Sequence, residues 1–282
     1  MLGLAPDPDD RAALAWAADE ASRRRLPLMI LHALAPPTPT YSPAGPAPRW
    51  IDWTYDLQTA AERLLADALS FVTTRHPQLV VGGVITEGVP AHALATRSQK
   101  AALIVVGSWH LSPARQALAA AGVAVPLAAR ASCPVVIVPE PEPSTAPAPR
   151  IVVGVDGSSH SATALAFAFN EAALHKASLQ ALYVWHPPML GTLDEHAAIE
   201  ECRRILADLT ASRSGPHPHV AFHGEVVKGH PVKTLTDASH DALALVVGTR
   251  GHGGFTGLLL GSVSQGVLHY ARCPVVTVPR TA

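Results

Sequence analysis

The chain has 282 residues, enough for two ordinary domains, and 48% of them are hydrophobic but only 5% aromatic, so Ala, Val and Leu must fill its core. A formal net charge of −1 speaks against a nucleic-acid binder, which needs a basic face. The longest apolar stretch, residues 117–129, is short and contains Pro126, and residues 1–7 lack the basic and apolar regions of an export signal, so a soluble, cytoplasmic protein with no membrane partner is expected. In chain order, the first half opens with a short strand and a helix around residues 11–21. A Pro-rich loop at 35–48 follows, then a second helix containing Leu64 to Asp67 and an apolar strand at Val105-Val-Gly107. Residues 139–149, with proline at nearly every second position, read as a semi-rigid extended linker.

Beyond that seam the elements repeat. Residues 162–172 match 11–21 at an offset of 151, and Ile205-Leu-Ala-Asp208, Gly229-His-Pro231 and Val246-Val-Gly248 match Leu64-Leu-Ala-Asp67, Gly88-Val-Pro90 and Val105-Val-Gly107 at an offset of 141. The Pro-rich loop accounts for the ten-residue difference. A domain-sized period means two similar domains, not a solenoid. In the second copy, strands are expected at 151–155, 178–185, 220–227, 242–247 and 274–278. Helices are expected at 161–176, 195–211, 231–239 and 262–271. Strands alternating with helices give an α/β protein: two tandem doubly wound units, each a five-stranded parallel sheet flanked by helices. The last strands, within 134–139 and 274–279, are apolar edges through which the two units are expected to pair in a pseudo-twofold arrangement, with a homodimer as a further possibility.

The stretch 246–264 carries the clearest chemistry. An apolar strand runs into Gly248 and Gly251, and after nine intervening residues Gly261 precedes Ser262, Val263 and Ser264 at the start of an amphipathic helix. Backbone N–H groups at a helix start, unobstructed by side chains, form an anion site, so the pattern predicts a nucleotide phosphate. The Gly-Lys-Ser/Thr of a P-loop is absent. A dinucleotide fingerprint belongs after the first strand, whereas this loop follows the fourth. Arg250 and His252 are the loop's basic groups, and either steer a terminal phosphate or are solvated. His217, His219 and His223 are close in sequence, but ordinary surface histidines are favoured over a zinc site. Cys133, Cys202 and Cys273 are too few for a disulfide framework; Cys133 and Cys273, each preceding a proline, read as small buried thiols.

These motifs resemble the universal stress protein family in its tandem two-domain form. The resemblance rests on Gly248-x2-Gly251-x9-Gly261-Ser262, on Val153-Gly-Val-Asp-Gly-Ser158 and on Cys273-Pro-Val-Val-Thr-Val-Pro279. It implies an adenine nucleotide partner, ATP with Mg2+ as its possible companion. Gly248, Gly251 and Gly253 would lie near ribose and phosphates, with Arg250 and His252 alongside. Gly261, Ser262, Val263 and Ser264 would donate to phosphate oxygens, Asp156 would face the adenosine, and Val184 would pack the adenine beside Gly154 and Val155. On spacing alone, Asp156 reads as a turn residue in Asp-Gly-Ser; the nucleotide contact is what the resemblance implies.

The first copy departs from this pattern: Ala5 stands for Asp156, His110 for Gly251, and Trp109 and Leu111 crowd the loop. The expected organisation is therefore a degenerate domain at 1–138 that holds no nucleotide, the linker at 139–149, and an ATP-binding domain at 150–282. The expected role is a non-catalytic, nucleotide-dependent stress sensor. A slow ATPase or phosphotransferase, and a nucleotide-free structural dimerisation module, are the alternatives.

Overall fold

The computed structural model describes residues 1–6, 11–34, 50–107, 122–139, 149–187, 194–251 and 260–280. The Pro-rich loop, most of the linker, Trp109, His110, Leu111, His252 and Gly253 lie outside them. The first half contributes strands β1 (Leu2–Gly3), β2 (Leu28–Leu34), β3 (Val81–Glu87), β4 (Ile104–Gly107) and β5 (Val135–Val138). Its helices are α1 (Ala12–Arg24), α2 (Trp50–Arg75), α3 (Pro90–Arg97) and α4 (Ala124–Arg130). The second half contributes β6 (Arg150–Val155), β7 (Ser178–Trp185), β8 (Phe222–Lys228), β9 (Ala244–Gly248) and β10 (Val275–Val278). With them come α5 (Ser159–His175), α6 (Glu195–Ser214), α7 (Pro231–Ala238) and α8 (Ser262–Tyr270). The α/β alternation expected from the sequence is present, with boundaries shifted by one to three residues where helix ends fray.

The strands form one sheet in the order β3-β2-β1-β4-β5-β10-β9-β6-β7-β8. Each half is thus a parallel 3-2-1-4-5 unit, and the two join where β5 and β10 pair antiparallel, Val136 opposite Val276. These are the two apolar edges singled out from sequence; joining them removes both edges at once. The central strands β4, β5, β9 and β10, rich in Val, Ile and Leu, are buried on both faces, whereas the edge strands β3 and β8 are partly exposed. On one face a single core runs through both halves, from Leu14 and Ala17 on α1 to Leu165, Ala168 and Phe169 on α5. On the other face the cores are separate, one under α3 and α4, the other under α7 and α8.

The repeat is visible in the packing. Leu94 of α3 presses on the backbone of β1, where a Cβ at Gly3 would meet its Cδ1 at 2.7 Å. Leu235 of α7 does the same at Gly154 of β6, at 2.9 Å. Both α1 and α5 end in left-handed residues, Arg25 and Lys176, which turn the chain back into β2 and β7. The halves differ most at the first strand: β1 keeps two residues, β6 six.

Candidate functional site

In a doubly wound sheet the loops after the strands gather at the carboxyl rim, beside the helix N-termini. Strand β6 lies between β7 and β9, with Val155 level with Tyr183 and Val153 level with Val246. Asp156, Val184 and Gly248 therefore emerge at one rim. Asp156 ends β6 and folds back: its Oδ1 accepts from the Ser158 amide at 3.0 Å, an Asx turn, and its carbonyl accepts from the Tyr183 hydroxyl at 3.1 Å. Burial pushes the Tyr183 hydroxyl up to about 12, so it remains the donor. Ser158 then caps α5 by accepting from the Ser161 amide at 3.2 Å.

The end of β9 closes over this turn, and here the glycines are required by contact. A Cβ at Gly248 would lie 2.9 Å from the backbone carbon of His160, and a Cβ at Gly251 would lie 2.2 Å from Asp156 Oδ2. Any side chain at Gly251 would force the Asp156 carboxylate or the loop itself to move. The ends of the loop are pinned together: the Gly261 amide donates to the Thr249 carbonyl at 2.8 Å, and the Thr249 amide donates to the Val278 carbonyl at 3.1 Å. A Cβ at Gly261 would lie 3.4 Å from the Arg250 Cα. Gly261 then starts α8 in an extended conformation with no side chain capping the helix. Among the described residues no side chain accepts from the first-turn amides, which leaves them open to a ligand.

The structure thus brings Asp156, Val184, Gly248, Arg250, Gly251, Gly261, Ser262, Val263 and Ser264 to one rim, with Gly154 just beneath it under Leu235. Arg250 and Ser262 are exposed there. Two residues take different places from those expected. Val155 points into the main core, 5% exposed, so only its backbone reaches the rim. Ser264 is buried and its hydroxyl donates to the Gly248 carbonyl at 2.6 Å, which ties α8 to β9 and leaves the Ser264 amide, not its hydroxyl, for a ligand. His160 was not anticipated; it lies in the first turn of α5 against Gly248. Burial, Arg250 and Arg280 hold its imidazolium below the usual histidine range, while Asp156 acts in the opposite sense. His186 and His230, edge to face at 5.8 Å, stand just beyond β7 and before α7. Their sequence signal is position alone: each immediately adjoins a carboxyl-side element end.

Elsewhere, His217 stacks on Phe169 and His223 lies exposed beside Glu225. Cys133, Cys202 and Cys273 are buried and free; burial pushes the Cys133 thiol up to about 11. In the first half the turn after β1 carries Ala5 in place of Asp156, and Arg11 precedes α1 without capping it.

The profile of the universal stress protein family matches residues 1–139 and again 148–279. The chain belongs to this family. A universal stress protein of Mycobacterium tuberculosis is 34% identical over 285 aligned residues, covering 98% of this chain and 94% of the relative. One from Mycolicibacterium smegmatis is 32% identical, with 99% and 96% covered. A crystal structure of a universal stress protein from Archaeoglobus fulgidus shares the fold, with a TM-score of 0.73 at 18% identity over 99% of this chain and 96% of that one. The family places the chain in the stress response. Among the described residues, no helix is long and apolar enough to cross a membrane.

Proposed function

We propose that the second half, residues 150–282, binds an adenine nucleotide, ATP with Mg2+, at the rim formed by β6, β7 and β9. The observation that carries this is the uncapped N-terminus of α8 behind a glycine loop packed against Asp156. The amides of Ser262, Val263 and Ser264 offer donors to phosphate oxygens, and the helix dipole adds about 0.3–1 kcal/mol for an anion. Arg250 adds a cation at the loop's start. Asp156, acceptor-only when ionised, suits the hydroxyls of a ribose, and Val184 gives the base an apolar wall. Gly248 and Gly251 keep the loop thin enough for the phosphates to approach backbone; His252 and Gly253, expected beside the phosphates from the sequence, lie outside the described residues.

Residues 1–138 serve as a scaffold that pairs with the second half through β5 and β10 but holds no nucleotide. The two-residue β1 and Ala5 support this. The loop at 248–264 contains no lysine, and phosphoryl transfer needs charge stabilisation and an oriented nucleophile. Occupancy therefore acts as a signal, by favouring the conformation that binds nucleotide better. The test is to purify the protein, denature it, identify any released nucleotide, and then incubate it with ATP and Mg2+. One nucleotide per chain without turnover is expected. ADP accumulating well beyond the enzyme concentration would make it an ATPase, and no binding on titration would make it a structural module. Two nucleotides per chain would overturn the scaffold role of the first half.

A further inference from the structure

The opposite end of α5 carries charge that the nucleotide site does not use. Glu20 of α1 and Glu171 of α5 are equivalent positions of the repeat, as are Arg24 and His175. Both glutamates are buried where α1 and α5 meet over the β5–β10 seam. Across the pseudo-twofold axis Arg24 pairs with Glu171, and His175 Nε2 lies 3.1 Å from Glu20 Oε2. Arg24 also donates its Nε–H to Glu20 Oε1 at 2.7 Å, so one guanidinium holds the Oε1 atoms of both carboxylates. Both Oε2 atoms are turned toward His175, which lies 3.8 Å from Glu171 Oε2. That oxygen makes no hydrogen bond among the described residues, although the side chain is only 9% exposed.

We propose that Glu20, Glu171 and His175 form a divalent metal site, of the zinc type, on the seam between the two halves. One donor atom from each residue lies within 4.8 Å of the others. Zinc bonds of about 2.0–2.1 Å in a tetrahedral shell put donors roughly 3.3 Å apart. The His175–Glu20 distance is already near this, and the other two close by small rotamer changes. A strictly symmetric clasp would carry arginine at 175, which has no lone pair to give; histidine gains one when a metal displaces the Nε2 proton it shares with Glu20 Oε2. Arg24 fixes the outer oxygens, as hydrogen-bonding groups behind metal-bound carboxylates do. Arg23, 2.7 Å from Glu20 Oε2 and 38% exposed, is the group that must swing into water.

Glu171 and His175 also line a cavity of about 200 Å3 with Trp16, Asp19 and Phe167, which leaves room for a water as fourth ligand. The charges agree with this. Burial raises the pKa of Glu20, but His175 and Arg24 outweigh it and hold that carboxyl at about 2. Burial prevails at Glu171, raised despite Arg24. The two differ because Glu20 has Arg23, Arg24 and His175 beside it, whereas Glu171 hydrogen-bonds Arg24 alone. Glu171 Oε2, without a hydrogen bond among the described residues, is the carboxylate oxygen left open to a cation.

The full chain, stripped with a chelator and titrated with Zn2+ against a chromophoric competitor, should bind one equivalent that His175→Gln and Glu171→Gln weaken at least tenfold. His219→Ala, a change at an exposed histidine outside the cluster, should keep that equivalent. Co2+ should give a tetrahedral visible spectrum in the parent chain and lose it in His175→Gln. If Glu171→Gln misfolds by circular dichroism, His175→Gln decides. Equal Zn2+ stoichiometry and affinity in the parent and His175→Gln, or loss of the equivalent in His219→Ala, would overturn the assignment.

Discussion

The packing of Gly251 on Asp156 makes a one-atom substitution informative. Gly251→Ala places a methyl 2.2 Å from Asp156 Oδ2, where ordinary contact begins near 3.4 Å, so the carboxylate or the loop must yield by about 1.2 Å. If the carboxylate moves, it gives up its 3.0 Å bond from the Ser158 amide and its aim at a ribose. A hydrogen bond to a charged group contributes about 1.5–3 kcal/mol, so nucleotide affinity should fall roughly tenfold to a hundredfold. The fold should survive, because the residue lies in the loop after β9, outside every core cluster. Isothermal titration of the parent and variant with ATP and Mg2+ measures the effect, and a thermal melt checks the fold. Asp156→Ala should cost a similar amount, and the double variant little more, because both remove one contact. A well-folded Gly251→Ala with unchanged affinity, or fully additive losses, would refute the link between the loop and Asp156.

The other expectations concern the mouth of the site, the core and the clasp. Gly261→Leu projects a side chain past Arg250 into the open end of α8 and should abolish ATP binding with little change in melting temperature, read by the same titration. Leu235→Ala empties the contact on Gly154 beneath the rim; the side chain is 3% exposed, so denaturant unfolding should show a loss of about 2–5 kcal/mol. Glu20 falls from the ordinary 4.5 to about 2 on folding, so its contribution is complete above pH 4.5 and is lost as pH falls toward 2. Glu171, raised on folding, has the opposite sign: its contribution is complete below pH 4.5 and is lost as pH rises through its folded value, so Glu20→Gln should flatten the acid limb of a stability profile while Glu171→Gln should remove a loss of stability above pH 4.5. Arg24→Ala strands two buried carboxylates and should cost about 3–5 kcal/mol in the same unfolding assay.

What could be seen in the sequence, and what could not, follows from the range of each interaction. Strand and helix identity is local, so the β-branched runs and helical spacing placed every element of the second half. The glycine loop was legible for the same reason, since its spacing describes a backbone that must run close to something. What it runs close to was not legible: Asp156 lies 95 residues before Gly251 in the chain, and only β6 lying beside β9 brings them together. Ser264 shows the limit within a motif, because serine at a helix start reads equally as a ligand donor or as a tether, and the Gly248 carbonyl takes its hydroxyl.

The clasp was hidden in another way. Glu20 and Glu171 are each unremarkable on a helix, and the repeat alignment places them as equivalents without saying that they meet. They meet because β5 and β10 pair antiparallel, which turns equivalent positions toward one axis. In a two-fold arrangement a buried charge near the axis confronts its own copy, and like charges there demand a shared cation. Arg24 fills that role from one half. The second half puts histidine in the corresponding place, so the two sides of the axis differ in the one property, an available lone pair, that lets a metal ion take the second cation's position.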